Sequence, residues 1–478
     1  MKEYKNPLVE RYSSKEMLYN FSPKKKFSTW RKLWLYLAET QKELGLNISD
    51  EQIYDLKEHL YDIDWDRVFF YEKKFRHDVM AHLYAFGEKA KKAKPIIHLG
   101  ATSAFLGDNT DIITIRDGLE ILLKKVVNLI FRLRNFSIEY HNVPTLAFTH
   151  YQAAQLTTVG KRSSLWIQSL LLDLEELEFR LKNIHFRGVK GTVGSADSFK
   201  ELFKGNLQKV KNLEKKISYK FGFQNVFSIT GQTYDRKVDS QILNLLSNIS
   251  QSSHKFSNDL RLLQNLKEME EPFDDNQIGS SAMAYKRNPI RSERIASLAK
   301  YVISLSNSSA IVAATQWLER TLDDSANRRL VIGQSFLAVD AILMIWNNIL
   351  ENIVVYPKII EKHVEEELPF LITEHIIIEC VKNGGDRQEI HDRIRIHSME
   401  TNRKIKLEGK ENDFIQRISR DKKIPIHKKK IDQMLNPENF IGFSSDQTLE
   451  FIDKKVNPIL NRFHHLIDSD ISNMDRQI

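Results

Sequence analysis

The chain has 478 residues, 41% of them hydrophobic, with 71 Lys and Arg against 63 Asp and Glu, a formal charge of +8. That length exceeds one compact core, so two to four structural units are expected. A single cysteine, Cys380, excludes an intrachain disulfide framework and a multi-cysteine zinc site, and it suits a reducing, cytoplasmic compartment.

The opening residues "MKEYKNPLVERYSSKEM" are polar and lack the apolar run of a secretory signal. Up to Leu99 the apolar pattern is short and mixed helical, which predicts an N-terminal helical domain over 1–102. Within it "RHDVMAH" sets His77 beside Asp78, and read alone this is a His–Asp pair on a helix surface. His77 and His82 stand five apart rather than four, with no glutamate between them, which argues against a zinc-protease site.

From Ile115 the apolar positions run Ile115, Leu119, Leu122, Val126, Leu129, Leu133, Phe136, a heptad seam. "LGDNTD" ahead of it offers Asp108, Asn109 and Thr110 as N-caps. A second helix is predicted from Leu156 to about Asn183, with Ile167, Leu170, Leu174, Leu177 and Leu181 on one stripe. "GTVGSAD" (191–197) lacks the Lys-Ser/Thr ending of a phosphate loop. A third helix starts near Lys237 and carries Val238, Ile242, Leu245, Ile249, Phe256, Leu260 and Leu263; two more follow from Pro289 and through 330–355. The oily stretch "FLAVDAILMIWNNILENIVVY" contains Asp340, Asn347, Asn348, Glu351 and Asn352, so it reads as a core helix and not a membrane span. Helices this long pack lengthwise, giving a central bundle over 103–356 that extends between subunits. Scarce Gly (18) and Pro (11) favour helix throughout. After Pro357 short helices with polar breaks predict a C-terminal helical domain, 357–478.

The stretch "GSSAMAYKRNP" (279–289) combines small residues, the cations Lys286 and Arg287, and a helix start with Asn288 as N-cap and Pro289 at the first helical position. Helix N-termini attract anions. The segment therefore predicts an anion site built from backbone N–H groups, cations and a helix dipole; the competing reading is a flexible loop with solvated cations. The mild basic excess fits an anionic small molecule without a nucleic-acid-binding stripe.

"GSSAMAYKRN" resembles the signature Gly-Ser-x-x-Met-x-x-Lys-x-Asn of the fumarase/aspartase superfamily, whose members eliminate fumarate from succinyl compounds. "RHDVMAH", "HLGATS" (98–103), "GDNTD" (107–111), "FTHYQAAQLTTVGKR" (148–162), "ITGQTYDRKVD" (229–239), "LLQNLKEMEEPF" (262–273) and "ERTLDDSANRR" (319–329) extend the resemblance along nearly the whole chain, to the adenylosuccinate lyase family in its animal-type form. The resemblance implies an all-α, three-domain fold whose central long-helix bundle assembles into a multi-subunit helical core. It implies a homotetramer with sites shared between subunits, a small-molecule nucleotide substrate, no metal, no cofactor, and neither nucleic acid nor membrane as a partner.

For the site, the resemblance makes Ser280 the general base, with Ser281 the alternative, and His150 the general acid, with His77 a competitor for that role or a substrate contact beside Arg76 and Asp78. A serine is a base only when its pKa is pulled far down, and backbone N–H groups, a helix N-terminus and Lys286 would do so. Lys286 and Asn288 match carboxylate contacts, as do Thr102 and Ser103, whose alternative role is helix capping. Gln232 matches a succinyl contact. Arg11, Tyr12, Arg294, Arg320, Ser325 and Arg329 match nucleotide and phosphate ligands, a role suited to the arginine fork. Each of these arginines alone also reads as a surface ion pair, Arg328 in particular, with Asp323 and Asp324 as partners. Ala284 and Ala153 stand where the family often has Pro, which loosens the backbone without removing a reacting group. The implied reaction is fumarate elimination from adenylosuccinate, and from the succinyl-carboxamide imidazole ribotide. A sister lyase acting on argininosuccinate, and a non-catalytic helical scaffold, are the alternatives.

Overall fold

The computed structural model describes residues 3–274 and 276–468; the last ten residues of the expected 357–478 domain lie outside the described residues. A single π-helical turn, Leu8–Tyr12, precedes five helices: α1 (Lys15–Asn20), α2 (Pro23–Glu43), α3 (Asp50–Glu58), α4 (Trp65–Phe75) and α5 (Asp78–Lys89). Their starts follow capping chemistry. Ser22 accepts from Lys25 N with Pro23 at the first helical position, and Ser49 and Gln52 form a reciprocal capping box.

The bundle begins with α6 (Ser103–Glu139), 37 residues long and so about 55 Å from end to end. A short antiparallel hairpin, β1 (Pro144–Thr149) and β2 (Gln152–Thr158), turns the chain at its far end into α7 (Val159–Asn183). Two short helices, α8 (Asp197–Leu202) and α9 (Leu207–Lys220), lead to α10 (Lys237–Asn265). Strand β3 (Met269–Glu270), α11 (Ile290–Ala314), α12 (Asp324–Glu351) and strand β4 (Val354–Val355) complete the bundle, with β3 and β4 paired. Seven helices follow: α13 (Pro357–Leu371), α14 (Thr373–Lys382), α15 (Arg387–Glu408), α16 (Phe414–Arg420), α17 (Lys428–Met434), α18 (Ser444–Phe451) and α19 (Asn457–Arg462).

All seven residues of the α6 seam are buried in one core with Ile242, Leu245 and Ile249 of α10 and Phe336, Ile342 and Trp346 of α12. The expected core helix through 330–355 is thus confirmed, starting earlier at Asp324. A second core joins α2 to Phe105–Ile113 and to Phe186–Tyr234. Residues between α7 and α10 therefore pack on the N-terminal helices, across the expected boundary at 102, while buried residues of the C-terminal helices are continuous with the bundle core.

Three local expectations are corrected. Asp108, Asn109 and Thr110 do not cap a helix; they lie buried inside α6, which starts at Ser103. Leu156 belongs to β2, and α7 begins three residues later. Asn288 is not an N-cap, because α11 begins at Ile290 after Pro289.

Side-chain contacts fix the helix directions. Arg236, just ahead of α10, bonds Asp108 and Asp324, so α6, α10 and α12 all start at one end. Asp259, near the end of α10, meets Trp166 in the second turn of α7, which runs back. Tyr301–Gln334 and Asn327–Ser308 contacts make α11 antiparallel to α12.

Candidate active site

The expected site residues divide between the two ends of this bundle. At the end where α6 and α12 begin, His77 caps α5, its Nδ1 accepting from Met80 N at 3.3 Å. That bond leaves Nε2 to carry the neutral ring's proton. Asp78 lies 3.8 Å from the ring's Nδ1, too far for a hydrogen bond; its carboxylate accepts instead from the next residue in the helix, Val79 N, at 2.8 Å, and from Arg329 Nη2 at 3.3 Å. Arg76, exposed, ends α4 in the left-handed region at φ 56°. Thr102 precedes α6 but makes no side-chain cap, and its Oγ1 is buried without a hydrogen-bond partner among the described residues; Ser103 is exposed. The capping alternative for Thr102 is therefore excluded.

Gln232 is held through its backbone: its N donates to Glu319 O at 3.0 Å and its O accepts from Arg187. This joins it to Arg320 across a cleft of about 430 Å³ lined by Thr230, Gly231, Tyr234, Arg236, Glu319 and Arg320. Ser325 lies in the first turn of α12, one turn ahead of the exposed Arg329. Arg328 is an ion-pair residue, though not with Asp323 or Asp324. Its guanidinium bonds Asp239 at 2.6 Å, Tyr234 Oη at 2.5 Å and Asp111 at 2.9 Å. Burial alone would lower its pKa, but Asp239, Tyr234 and Asp111 hold it well above its ordinary value. Asp324 instead faces Arg236 at 2.6 Å and Arg320 at 3.7 Å.

At the opposite end stand His150 and the signature loop. His150 and Tyr151 form the two-residue turn of the hairpin, with φ 52° and 57°. Both central residues at positive φ is the hairpin geometry that normally takes Asn-Gly. A histidine and a tyrosine there are strained, as functional residues often are, and the strain presents His150 at an exposed tip. Ala153 pairs with Phe148 beside a register irregularity in β1.

Ser280 and Ser281 are separated by their surroundings. Ser280 is half-buried, and its Oγ accepts from Ala282 N at 3.4 Å and Met283 N at 3.1 Å, whereas Ser281 is exposed. Asn288 Nδ2 donates to Gly279 O at 2.7 Å and so closes the loop on itself. Lys286 is exposed, and its N–H closes a turn onto Met283 O at 3.0 Å with Ala284 at the second position, where Pro would fit.

The expected helix-dipole contribution is not available to this loop. Glu271 accepts from Arg291 N, Ser292 N and Ser292 Oγ, each at 2.9 Å, and so occupies the α11 N-terminus. Of the three expected stabilisers of a serine oxyanion, the backbone N–H groups are in contact with Ser280 Oγ, and Lys286 stands exposed on the same loop.

Two residues bridge the middle of the bundle. Arg294, in the first turns of α11, lies 5.3 Å from the Tyr12 ring centroid, and Arg11 is exposed on the same π-turn. Ser14 N and Oγ bond the Asp340 carboxylate at 2.7 and 3.1 Å, and Lys125 bonds Asp340 and Ser14, which fastens this segment to α6 and α12.

Residues 19–304 match the family model described as "Lyase", and residues 369–451 match "Adenylosuccinate lyase C-terminus". The chain is 50% identical to the adenylosuccinate lyase of Schistosoma mansoni over 96% of both chains, and 47% identical to that of Schizosaccharomyces pombe over 97% of both. The chain belongs to the adenylosuccinate lyase family. Among solved structures its fold is similar to fumarate lyase from Mesorhizobium (TM-score 0.80, 17% identity, 93% of this chain and 98% of that one) and to 3-carboxy-cis,cis-muconate lactonizing enzyme from Pseudomonas putida (TM-score 0.83, 17% identity, 95% and 99%). These matches make the expected all-α fold of the fumarase/aspartase superfamily a finding.

Three residues of this adenylosuccinate lyase family member were not singled out from sequence. His98, at φ 71°, accepts on Nδ1 from Trp34 Nε1 at 2.9 Å; burial, then the charge of nearby His77, lowers its pKa to about 4. Lys26 makes no ion pair among the described residues. It lies 5.2 Å from the ring centroids of both Phe27 and Trp30, and burial, only partly offset by Asp111, lowers its pKa. Glu271 is the third. His98 lay within a quoted motif, but Lys26 sits in a lysine run that reads as a solvated face, and Glu271 is one of three glutamates in "KEMEEPF".

Proposed function

We propose that the protein eliminates fumarate from adenylosuccinate, leaving AMP, and performs the same elimination on the succinyl-carboxamide imidazole ribotide. The observation that carries this reading is the roughly half-identical match, end to end, with relatives named adenylosuccinate lyase. The site chemistry supports it.

Ser280, as an oxyanion, takes the proton from the carbon beside a substrate carboxylate. The N–H groups of Ala282 and Met283 favour that oxyanion, as does the cation of Lys286 on the same loop. Lys286 and Asn288 hold the carboxylate into which the carbanion's charge spreads. His150 gives a proton to the departing 6-amino nitrogen, a role suited to an imidazole near neutrality. His77, with Nε2–H outward, orients the succinyl end. Arg320, Ser325 and Arg329 take the phosphate, and Arg11, Tyr12 and Arg294 the nucleotide end.

Within one chain these groups cannot meet. Thr102 and the hairpin bearing His150 lie at opposite ends of α6, about 55 Å apart. We therefore infer a homotetramer whose sites draw on several subunits. Exposed Leu165, Leu172 and Phe179 recur every seven residues on α7 (52%, 61% and 52% exposed), an apolar seam that suits packing against another copy. Helix α11 is apolar enough to cross a membrane, yet its most apolar window is only 28% buried within one chain. Packing against a second copy accounts for that face. Buried, unpaired Cys380 suits a cytoplasmic setting.

Ultraviolet monitoring of the purified protein with adenylosuccinate, and with argininosuccinate in parallel, tests the reading. Turnover of the purine substrate alone is expected; turnover of argininosuccinate alone would move the chain to the sister reaction.

A further inference from the structure

The signature loop leaves and re-enters the bundle through two residues that each grip the backbone of the opposite root. Glu271, at its first root, is 4% exposed and uses both carboxylate oxygens on the second root, Arg291 N and Ser292 N at 2.9 Å each, with Ser292 Oγ as a third donor. Arg291, 6% exposed, reaches back to the first root, its Nη1 donating to Pro272 O at 2.8 Å and its Nη2 to Asp274 at 2.9 Å. The bonds are reciprocal, and all but the one to exposed Asp274 are shut off from water. Two further rungs lie nearby: Asn288 Nδ2 to Gly279 O at 2.7 Å, and Gln264 Nε2 to Arg287 O at 3.0 Å.

We propose that Glu271 and Arg291 form a clasp that sets the orientation of the signature loop, making both of them positioning residues for Ser280 and Lys286. This rests on the reading above in which Ser280 and Lys286 act on the succinyl end. A carboxylate is required at the first root. It offers two acceptor oxygens to two N–H groups and meets the positive end of α11, whereas an amide would turn a donor toward a donor. Burial raises the Glu271 pKa and the bonds from Arg291 and Ser292 oppose that rise, so the clasp also favours the charged form it needs. By spending the helix end on its own carboxylate, the chain leaves the loop's N–H groups and Lys286 as the charge that meets substrate. Small displacements of the loop then act directly on the reacting groups.

The test compares Glu271→Gln, Glu271→Asp and Arg291→Lys in the assembled enzyme. It measures turnover of adenylosuccinate, AMP affinity by calorimetry, assembly size, and amide hydrogen exchange across 276–292 without ligand. Glu271→Gln is expected to lower kcat about 100-fold, the scale of an ångström's misplacement. AMP affinity should stay within about threefold, because five of the six residues assigned to the nucleotide and phosphate lie on other segments and Arg294 lies beyond the clasp within α11. Exchange should quicken through 279–288, and Glu271→Asp, which keeps two acceptor oxygens, should recover at least about tenfold of the lost kcat. The proposal is overturned if kcat stays within about threefold of the parent, or if AMP affinity falls in step with kcat. Should Glu271→Gln not assemble, Arg291→Lys, which loses the fork but keeps the charge, is judged by the same criteria. If the parent itself fails to turn over adenylosuccinate, the functional reading fails. The clasp is then judged by exchange alone, and unchanged exchange through 279–288 overturns it.

Discussion

The guanidinium of Arg294 lies 5.3 Å from the centre of the Tyr12 ring, although one residue belongs to the opening turn and the other to the helix after the signature loop. Such contacts contribute about 0.5–2 kcal/mol. Here the contact aligns two groups assigned to the nucleotide end. Tyr12→Phe keeps the ring face and should leave KM for adenylosuccinate within about twofold, whereas Tyr12→Ala should raise it roughly tenfold with a smaller change in kcat. Equal KM values for the two variants would remove the contact from substrate binding.

The separation of His77 from His150 along α6 makes a sharper prediction. If each site takes these residues from different chains, an inactive His77→Ala enzyme and an inactive His150→Ala enzyme should restore activity when mixed and reassembled. In hybrids some sites receive both intact histidines, and recovery should approach roughly a quarter of the parent activity. Mixtures as inactive as either parent variant, with exchange of subunits verified by mass, would mean that each chain builds its own site.

Much of the bundle was legible because its physics is local. The α6 seam from Ile115 to Phe136 is apolar at heptad spacing, and every one of those residues is buried. The start of α6 was not legible, since Asp108 and Asn109 look like caps until Arg236 and Gly188 arrive from elsewhere in the chain to bond them. The hairpin was missed for the opposite reason: His150 and Tyr151 occupy a turn that usually announces itself with Asn or Gly. At the site, the motifs supplied the candidate residues, while their spatial division between bundle ends came only from helix directions. Glu271 could not be picked out at all, because adjacent Glu268 and Glu270 are chemically identical and only tertiary packing decides which meets α11.

Buried His82 gives a pH prediction. Burial first, and then the charge of Arg31, lowers its pKa to about 3, and its ring stacks on Phe27 at 3.8 Å. The folded protein keeps this ring neutral while the unfolded chain protonates it below about 6.5. Its stability contribution is therefore complete above pH 6.5 and is lost progressively as pH falls toward 3. At pH 5 the loss should be about 2 kcal/mol. His82→Phe, which keeps the stack, should flatten the dependence of the urea midpoint between pH 7 and pH 5 by that amount. An unchanged slope would show that His82 does not carry the acid sensitivity.

Asp173 on α7 gives a prediction of opposite sign. Its side chain is buried, Oδ2 has no hydrogen-bond partner among the described residues, and burial, only partly relieved by Ser252, raises its pKa to about 6. A carboxyl group with a raised folded pKa is held without penalty below about pH 4, where both states are protonated. The folded state then loses stability as pH climbs from about 4 to 6, and the deficit stays constant above that. Asn at this position keeps an oxygen for Ser252 and has no charge to desolvate. Asp173→Asn should therefore stabilise the protein at pH 7.5 by on the order of 2 kcal/mol and leave it unchanged at pH 4. A gain of the same size at both values would point to packing, and a loss at pH 7.5 would mean that the ionised carboxylate is compensated by a charge contributed from another subunit.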